Sequence, residues 1–509
     1  MKPAAPHVVF VVDGLRPDLI NETDTPTIAR LRRDGVSCEN AHALSPPVTR
    51  INGAAMVTGR HPGTNGMFGN EMYWPAVVED RPFLTGDAAN LHRLRTVSGS
   101  VLECASLGRR LAAGGQTLVT VGSGSSGNAL LLNSEATESH GAMISVNRPQ
   151  DGEPIALPRT VEDELVGRFG PPPAKVSDRD RLPTITYATT AIRDYVLPDL
   201  QPDVLVYWIT EPDHAHHTFG LAAVESQRAR RTADQAVATV LEALGDAGKL
   251  DDTNLLVISD HGFSTVSGVV DLEHELVNAG LKQSTHSTDV VVANSGCGLL
   301  YVRDRDLAHI RRLVDHLQQQ PFAEAIFTAP EPPGQGGHVG KLAEDAHQGW
   351  VEGTLSNRLL GYAGNAREPD IVMSLPWSPG PENAQIPGDS VVLARGGTTR
   401  LAGQHGNLSP YDIRSTMIAW GPAFHDGLTL EVPTGNLDVT PTLLALTGLD
   451  TSSLDGRVLR ECFTSSQVDA VDHDVATLRV EAPGSGYTAS VEVATIGQHR
   501  YLSSAWRDR

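Results

Sequence analysis

The chain has few cysteines, and no two of them lie close together in the sequence. The 509 residues contain four, which are Cys38, Cys104, Cys297 and Cys462. The Cys-x-x-Cys spacing of thiol zinc sites is absent, and so is the dense pattern of a disulfide framework. We therefore expect four free thiols, as is usual in a reducing compartment.

Long apolar runs are also absent. No stretch has the length and hydropathy of a membrane-spanning helix, and the N-terminal residues lack the apolar region of a signal peptide. These absences predict a cytoplasmic protein that does not contact a membrane. Export by means of an upstream segment outside this sequence is the alternative.

Basic residues are outnumbered by acidic ones. The chain has 40 lysines and arginines against 61 aspartates and glutamates, for a formal net charge of −21. Such a surface repels polyanions, so we do not expect a nucleic acid polymer as a partner. A small phosphate ester or phosphonate stays compatible with this charge, because metal ions dominate the field inside a site. The sequence does not indicate an oligomeric state.

Apolar runs of strand length alternate with helical patterns over most of the chain. This alternation predicts an α/β fold built on a doubly wound, mostly parallel sheet. The predicted strands are 7–12, 117–121, 203–210 and 255–258, and the predicted helices are 25–35, 222–244 and 438–446.

The pattern changes between Gly262 and Gly403. A strand at 298–302, a helix at 306–319 and a strand at 325–327 predict a smaller inserted α+β domain that covers the site. Near the C-terminus, residues 477–504 partly alternate polar and apolar, which predicts a β hairpin. The predicted division is a catalytic core over 1–265 and 395–465, a cap-like insertion over 266–394, and a C-terminal β extension over 466–509.

The ends of three predicted strands carry acidic and histidine side chains. The run 255–258 is followed by Ser259, Asp260 and His261, which place a carboxylate and an imidazole side by side. Because ligands gather at the carboxyl ends of strands in open α/β sheets, polar residues after neighbouring strands are expected to meet. Oxygen and nitrogen donors suit zinc, and a two-metal hydrolase needs several of them. The candidate ligands are Asp13, Asp213, His217, Asp260, His261 and His405.

A threonine follows a proline-bounded loop and precedes a helical pattern. Thr49 would lie near the N-terminus of that helix, where free backbone N–H groups attract an anion. Coordination to zinc lowers the pKa of a hydroxyl, which would make Thr49 a nucleophile. Asn52, three residues later, is a candidate donor to a phosphoryl oxygen. A helix cap and a turn residue are the structural alternatives for these two positions.

The order of these motifs resembles the alkaline phosphatase superfamily and, within it, the type I phosphodiesterase/nucleotide pyrophosphatase family. The resemblance extends from about residue 8 to residue 446 and is interrupted between 262 and 403. The motifs that carry it are Asp13-Gly14, Thr49-x-x-Asn52, Glu211-Pro212-Asp213-x-x-x-His217, Asp260-His261-Gly262 and His405-Gly406.

The resemblance implies two zinc ions and a covalent mechanism. Manganese or iron would suit the same oxygen and nitrogen donors. Thr49 would form a phospho-enzyme that water then hydrolyses. By this resemblance one ion is held by Asp13, Thr49, Asp260 and His261, and the other by Asp213, His217 and His405. The neighbours His214 and His216 are alternatives to His217.

The residues after Thr49 include candidate contacts to the substrate. Family members place a phosphoryl-contacting asparagine beyond a Thr-Gly-x-x-Pro segment, and the segment 58–62 followed by Asn70 fits that layout. The residue after the nucleophile is usually aromatic in nucleotide-cleaving members, whereas here it is Arg50, which suits a bidentate phosphate or carboxylate contact. Solvent exposure and pairing with an acid are the alternatives for Arg50.

The resemblance therefore implies a two-metal phosphodiesterase or nucleotide pyrophosphatase that acts on a small phosphate ester. The stretch 58–70 is also similar to phosphonoacetate hydrolases, and a phosphomonoesterase or phosphonate hydrolase would share every metal ligand. A metal-stabilised binding protein without catalysis is a further alternative. The glycine-rich stretch 122–127 matches G-x-G-x-x-G, but the helical pattern after it breaks at Asn133, so we expect a turn rather than a dinucleotide site.

Overall fold

A computed structural model describes residues 6–146, 154–173, 181–332, 347–394, 401–466 and 472–508. Up to residue 258, strands and helices alternate. The strands are β1 (His7–Val12), β2 (Val36–Cys38), β3 (Ala41–His42), β4 (Glu71–Met72), β5 (Phe83–Leu84), β6 (Leu118–Gly122), β7 (Ala142–Ser145), β8 (Ala156–Leu157), β9 (Val204–Ile209) and β10 (Asn254–Ile258). The helices are α1 (Pro26–Asp34), α2 (Thr49–Thr58), α3 (Pro62–Asn65), α4 (Ala88–Ser98), α5 (Leu107–Ala113), α6 (Ser126–Leu132), α7 (Arg159–Phe169), α8 (Leu182–Ala191), α9 (Asp213–Phe219) and α10 (Val224–Asp246).

The rest of the chain is richer in strands. The strands are β11 (Ser264–Val270), β12 (Val290–Ser295), β13 (Cys297–Val302), β14 (Ile326–Thr328), β15 (Leu355–Ser356), β16 (Ile371–Met373), β17 (Trp377–Ser378), β18 (Asp389–Leu393), β19 (Gly403–Gln404), β20 (Met417–Trp420), β21 (Leu428–Leu430), β22 (Thr434–Gly435), β23 (Asp474–Ala482), β24 (Tyr487–Ile496) and β25 (His499–Arg507). The helices are α11 (Leu272–Asn278), α12 (Leu307–Leu317), α13 (Pro410–Ile413) and α14 (Val439–Leu446), with a π-helix at Ile192–Leu200 and 3₁₀ turns at Pro17–Leu19, Leu250–Asp252, Arg303–Arg305, Asn357–Leu360, Asn436–Asp438 and Arg460–Cys462.

A nine-stranded sheet forms the centre of the molecule, in the order β21-β2-β20-β10-β1-β9-β6-β7-β8. β1 lies between β10 and β9 and runs parallel to both, and β6 extends the parallel set. β20 and β8 pair antiparallel with their neighbours. The predicted α/β fold with a mostly parallel sheet is confirmed.

Both faces of this sheet are covered, which explains why its strands are apolar throughout rather than alternating. Along β1, Val9 and Val11 face one hydrophobic cluster, whereas Val8, Phe10 and Val12 face the other. Helices α2, α6 and α14 contribute to the first cluster, and helices α1, α8 and α10 to the second. Burial on both faces is typical of parallel sheets.

The segment after β10 forms its own sheets. The predicted strand, helix and strand correspond to β13, α12 and β14, and the five-stranded sheet has the order β12-β13-β16-β14-β15. A second sheet, β17-β18-β11-β19, pairs Ser264 and Thr265 of β11 with residues 404 and 403. The predicted boundary after residue 265 thus falls inside β11. The division into core, insertion and extension remains a prediction, and its junction at 395–400 lies outside the described residues.

The C-terminal hairpin is confirmed and has a third strand. β23, β24 and β25 form an antiparallel sheet. The backbone N–H of Ala505 donates to the carbonyl of Leu408 at 2.9 Å, three residues after His405.

Among the helices of the described ranges, none combines the length and apolarity needed to cross a bilayer.

The glycine of the Asp-His-Gly motif allows two backbone segments to approach closely. Gly262 donates its N–H to the carbonyl of Asp412 at 2.7 Å, and a Cβ at this position would lie 2.0 Å from the carbonyl oxygen of Tyr411. Another backbone oxygen, that of Arg414, would lie 2.7 Å away. The loop around 411–414 can therefore pack against the sheet edge only if residue 262 lacks a side chain.

We expect Gly262→Ala to lower the free energy of unfolding by about 1–3 kcal/mol or more, because the backbone must shift to relieve the contact. The melting temperature measures this effect. Gly167→Ala is the matched control: this glycine lies within α7, and no atom would contact the added Cβ within 4 Å. That change should be neutral or stabilising by up to about 1 kcal/mol. Equal melting temperatures for Gly262→Ala and the wild type would contradict the packing argument.

Candidate metal centre

Three neighbouring strands of the main sheet end at the same edge. Val12 of β1 lies opposite Ile209 of β9, and Val11 lies opposite Ile258 of β10. The residues that follow these strands therefore meet, and the N–H of Asp213 donates to the carbonyl of Asp13 at 3.0 Å. The structure brings the predicted ligands together at this edge.

The first group consists of Asp13, Asp260 and His261, each of which places a ligand atom within 4.8 Å of the others. His261 Nε2 lies 3.5 Å from Asp13 Oδ1 and 3.1 Å from Asp260 Oδ2. The same nitrogen lies 3.4 Å from Thr49 Oγ1. These residues correspond to the predicted first site.

The second group surrounds Asp213, whose Oδ1 lies 3.3 Å from His217 Nε2 and 3.5 Å from His405 Nε2. Ligand atoms of Asp213, His405 and His261 also lie within 4.8 Å of one another. The rings of His261 and His405 stack with centroids 3.5 Å apart and planes 9° apart. His261 therefore borders both groups, so the two candidate sites adjoin.

The ring of each histidine in the centre is held by its Nδ1 atom, the nitrogen that faces away from the carboxylates. The Nδ1 atoms contact backbone carbonyls: His261 that of Gly262 at 2.9 Å, His405 that of Pro47 at 2.9 Å, and His217 that of Gly403 at 3.0 Å. A carbonyl at Nδ1 favours the tautomer with a proton there, which leaves Nε2 as a free electron-pair donor. Such outer contacts orient metal ligands.

The three carboxylates of the centre are short of hydrogen-bond donors. Asp13 Oδ1, Asp213 Oδ1 and Asp260 Oδ2 are buried and have no hydrogen bond among the described residues. Burial raises the pKa of Asp13 well above its usual value, and the charges of Asp260 and Asp213 raise it further. Buried carboxylates with free oxygens need either protons or cations, and this donor set suits divalent metal ions.

The histidines alone compensate only part of the negative charge of the three carboxylates. Burial opposes ionisation of Asp213, but the nearby imidazoles, led by His217, prevail and lower its pKa. Burial likewise favours neutral His261, yet the carboxylate of Asp260 raises its pKa. Burial, with His261 as the next cause, lowers the pKa of His405 well below its usual value. This shift favours the neutral form of His405, which is the form that binds a metal ion.

Thr49 is the first residue of α2, and its side chain borders the first group. The residue is 7% exposed. The N–H of the next residue, Arg50, donates to Asn70 Oδ1 at 3.1 Å, which fixes the Asn70 amide beside the helix N-terminus. With its oxygen engaged, the Asn70 amide has its Nδ2 group left for an incoming phosphoryl oxygen.

Asn52 does not have this freedom, which corrects its candidacy as a phosphoryl donor. It is fully buried, its Oδ1 accepts from Leu44 N–H and Asn436 Nδ2, and its Nδ2 donates to two carbonyls. These carbonyls belong to Leu44 and Val48, in the loop before Thr49. Asn52 therefore holds that loop in place, and of the two asparagines Asn70 is the one that remains a candidate donor.

The neighbours of His217 point elsewhere. His216 is fully buried, and its Nε2 lies 3.4 Å from Arg230 Nη1, which in turn pairs with Asp24. His214 lines a separate cavity with Glu211. His217 is thus the histidine of this helix that lies in the centre.

Arg50 is neither solvent-exposed nor paired with an acid. It is 9% exposed, and no carboxylate in the described part of the chain lies within ion-pair distance. Its Nη2 donates to Ser125 Oγ at 2.7 Å. Both structural alternatives for this residue are therefore wrong.

Sequence reasoning missed the residues that support the ligands. Trp208 Nε1 donates to Asp13 Oδ2 at 2.8 Å, and Asn436 Nδ2 donates to the carbonyl of Asp260 at 2.9 Å. Trp208 belongs to the apolar run of β9, where an aromatic residue gives no sign of a polar contact. Asn436 is distant in sequence, and no spacing connects it with the motifs.

Comparison with known proteins gives the family. A sequence model described as "Type I phosphodiesterase / nucleotide pyrophosphatase" matches residues 7–350. The chain belongs to this family. Venom phosphodiesterase of Naja atra is 23% identical over 266 residues, which cover 52% of this chain and 27% of that protein. Ectonucleotide pyrophosphatase/phosphodiesterase family member 3 of Mus musculus is 22% identical over 276 residues, with 52% and 25% covered.

Solved structures of this family share the fold. Murine ectonucleotide pyrophosphatase/phosphodiesterase 5 is 16% identical, with a TM-score of 0.58, and the match covers 90% of this chain and 100% of that chain. An inactive variant of the same protein in complex with AMP has a TM-score of 0.60. The curated relatives named above are much longer, and the match spans about a quarter of their length.

Removing one ligand charge should remove metal. We expect Asp260→Asn to reduce the bound metal per chain, because the neutral amide leaves less charge to hold a cation. Elemental analysis after dialysis against a weak chelator measures this. The control is Asp34→Asn, which changes an exposed acid at the end of α1 and should keep the wild-type metal content. Full occupancy in Asp260→Asn would contradict the assignment.

Trp208 provides a subtler test. In Trp208→Phe the ring is largely kept but the donor to Asp13 is lost, so we expect metal affinity to fall by about 10–100-fold. Competition with a chromogenic chelator gives the affinity. An unchanged affinity would show that the contact does not orient Asp13.

Proposed function

We propose that this protein is a two-metal phosphoric ester hydrolase of the phosphodiesterase/nucleotide pyrophosphatase type, with Thr49 as its nucleophile. The observation that carries the proposal is the convergence of the free carboxylate oxygens of Asp13, Asp213 and Asp260 around His261, whose Nε2 lies 3.4 Å from the Thr49 hydroxyl. Family membership supports the same chemistry, since the relatives are named as phosphodiesterases and pyrophosphatases.

The ligands divide into two adjoining sets. One ion would be held by Asp13, Thr49, Asp260 and His261, and the other by Asp213, His217 and His405. Zinc suits these donors, and manganese or iron would as well. When bound, two such ions lower the pKa of a hydroxyl and neutralise charge on the transferring phosphoryl group.

The residues of the chain then perform two displacements. The Thr49 Oγ gives up its proton to solvent and attacks phosphorus, and the bond to the leaving oxygen breaks. The leaving group departs with its electron pair and takes up a proton from solvent, so that Thr49 carries the phosphoryl group. Asn70 Nδ2 donates to a phosphoryl oxygen, and this bond strengthens as negative charge develops. Water then attacks from the side that the leaving group has vacated, and Thr49 Oγ is released. Two inversions give overall retention of configuration at phosphorus.

Two observations favour different classes of substrate. The names of the relatives, and the AMP in the murine structure, support a nucleotide diester or pyrophosphate. The arginine after Thr49 supports instead a phosphate monoester or a phosphonate. A catalytically silent binding protein is disfavoured by the presence of every ligand and of the Thr49 hydroxyl.

We expect Thr49→Ala to lower kcat by roughly 10³-fold or more, the scale of removing a nucleophile, while metal stays partly bound. The assay uses the metal-loaded enzyme with p-nitrophenyl thymidine monophosphate and with p-nitrophenyl phosphate. Thr49→Ser is the control, because it keeps the hydroxyl and should retain measurable turnover. Wild-type activity in Thr49→Ala would exclude Thr49 as the nucleophile.

A further inference from the structure

Arg50 is a buried cation that forms no direct ion pair among the described residues. Its Nε is buried and has no hydrogen bond among the described residues, and its guanidinium makes a single side-chain hydrogen bond, from Nη2 to Ser125 Oγ. Burying a charged group costs free energy unless it is paired. An arginine kept in this state, beside a reactive threonine, has donors available for an anion that arrives from outside.

The backbone places this cation beside the reaction centre. Arg50 follows Thr49 in the first turn of α2, and its N–H is bonded to Asn70 Oδ1. Burial lowers the pKa of the guanidinium, and the charges of Asp13 and Asp260 counter this, which reflects their proximity. The guanidinium is therefore near the metal centre but not neutralised by contact with it.

Two glycine-containing loops hold the guanidinium in position. A Cβ at Gly86 would lie 3.0 Å from Arg50 Nη2, so a side chain there would crowd the guanidinium. A Cβ at Gly127 would lie 2.5 Å from the carbonyl oxygen of Thr85, so the two loops pack directly on each other. Ser125 also caps the N-terminus of α6, where its Oγ accepts from Asn128 N–H. These contacts give the glycine-rich stretch 122–127 a structural role beside Arg50.

We propose that Arg50, positioned by Ser125, binds a second anionic oxygen of the substrate next to the phosphoryl group attacked by Thr49, so that the site selects doubly charged substrates over singly charged diesters. The inference rests on the proposed function. The second anion is a terminal phosphoryl oxygen, as in a phosphate monoester, or a carboxylate, as in phosphonoacetate. A planar guanidinium suits both groups because it can donate two parallel N–H bonds.

The test compares Arg50→Gln with the wild type on p-nitrophenyl phosphate and on bis-p-nitrophenyl phosphate. We expect kcat/KM for the monoester to fall by about 10–100-fold, the range for a hydrogen bond to a charged group, and kcat/KM for the diester to change by less than about threefold. Equal losses on both substrates, or no loss on either, would overturn the proposal. Arg33→Gln is the control, since this arginine is exposed on α1 and should change neither value.

A binding measurement separates this inference from the proposed activity. Phenylphosphonate, phosphonoacetate and diphenyl phosphate are titrated calorimetrically into metal-loaded wild type and Arg50→Gln. Weaker binding of phenylphosphonate in the variant indicates a terminal phosphoryl oxygen, and a loss confined to phosphonoacetate indicates a carboxylate. Unchanged binding of both would overturn the role of Arg50, even if every substrate is hydrolysed. An enzyme that binds these anions through Arg50 but never turns over would contradict the proposed function alone.

Ser125 is tested as a positioning residue. Ser125→Ala should raise KM for the monoester by about 3–10-fold with kcat nearly unchanged, because loss of one neutral hydrogen bond loosens the guanidinium. Ser125→Thr, which keeps the hydroxyl, should restore KM. If the melting temperature falls while KM stays constant, Ser125 supports the fold and not the anion contact.

Discussion

Three aspartates at one edge of the central sheet carry buried oxygens that have no hydrogen bond among the described residues. The neighbouring histidines are oriented toward these oxygens. Each histidine is fixed through Nδ1, so that its Nε2 faces the carboxylates. The negative charge requires cations, and cations are what a phosphoryl transfer site needs.

The sheet topology explains how residues so far apart meet. β9, β1 and β10 are adjacent and parallel, so that Asp13, Asp213 and Asp260 emerge from one edge. His405 arrives from another direction, directly after β19, and β19 pairs with β11, which begins just after the Asp-His-Gly motif. The close backbone contact at Gly262 allows the Asp-His-Gly motif to pack against the part of the chain that follows His405. The stability of the fold is therefore linked to the geometry of the centre.

Many strands, helices and candidate ligands were predictable because each depends on a short stretch of sequence. Buried strands such as β1 and β10 are continuous apolar runs, α1 begins at Pro26 and ends before Gly35, and the candidate ligands follow strands. Residues whose function depends on distant partners were not predictable. The spacing of Asn52 from Thr49 suggested a substrate donor, yet its partners in the fold engage every polar atom of its amide.

The contacts of Trp208 and Arg50 also could not be predicted, because their partners are distant in the sequence. Trp208 is indistinguishable in sequence from its apolar neighbours, and only the fold shows that its N–H meets Asp13. Likewise, the sequence left open whether Arg50 faces solvent, an acid or a substrate. The contact with Ser125, more than seventy positions away, required three-dimensional structure.

The central claim is that Thr49 carries the phosphoryl group between two displacements. The stereochemical course of hydrolysis, followed with a substrate made chiral at phosphorus by isotopic or sulfur substitution, tests it most directly. The account predicts retention of configuration, the sum of two inversions. Inversion would show that water attacks the substrate in a single step, and it would contradict the account.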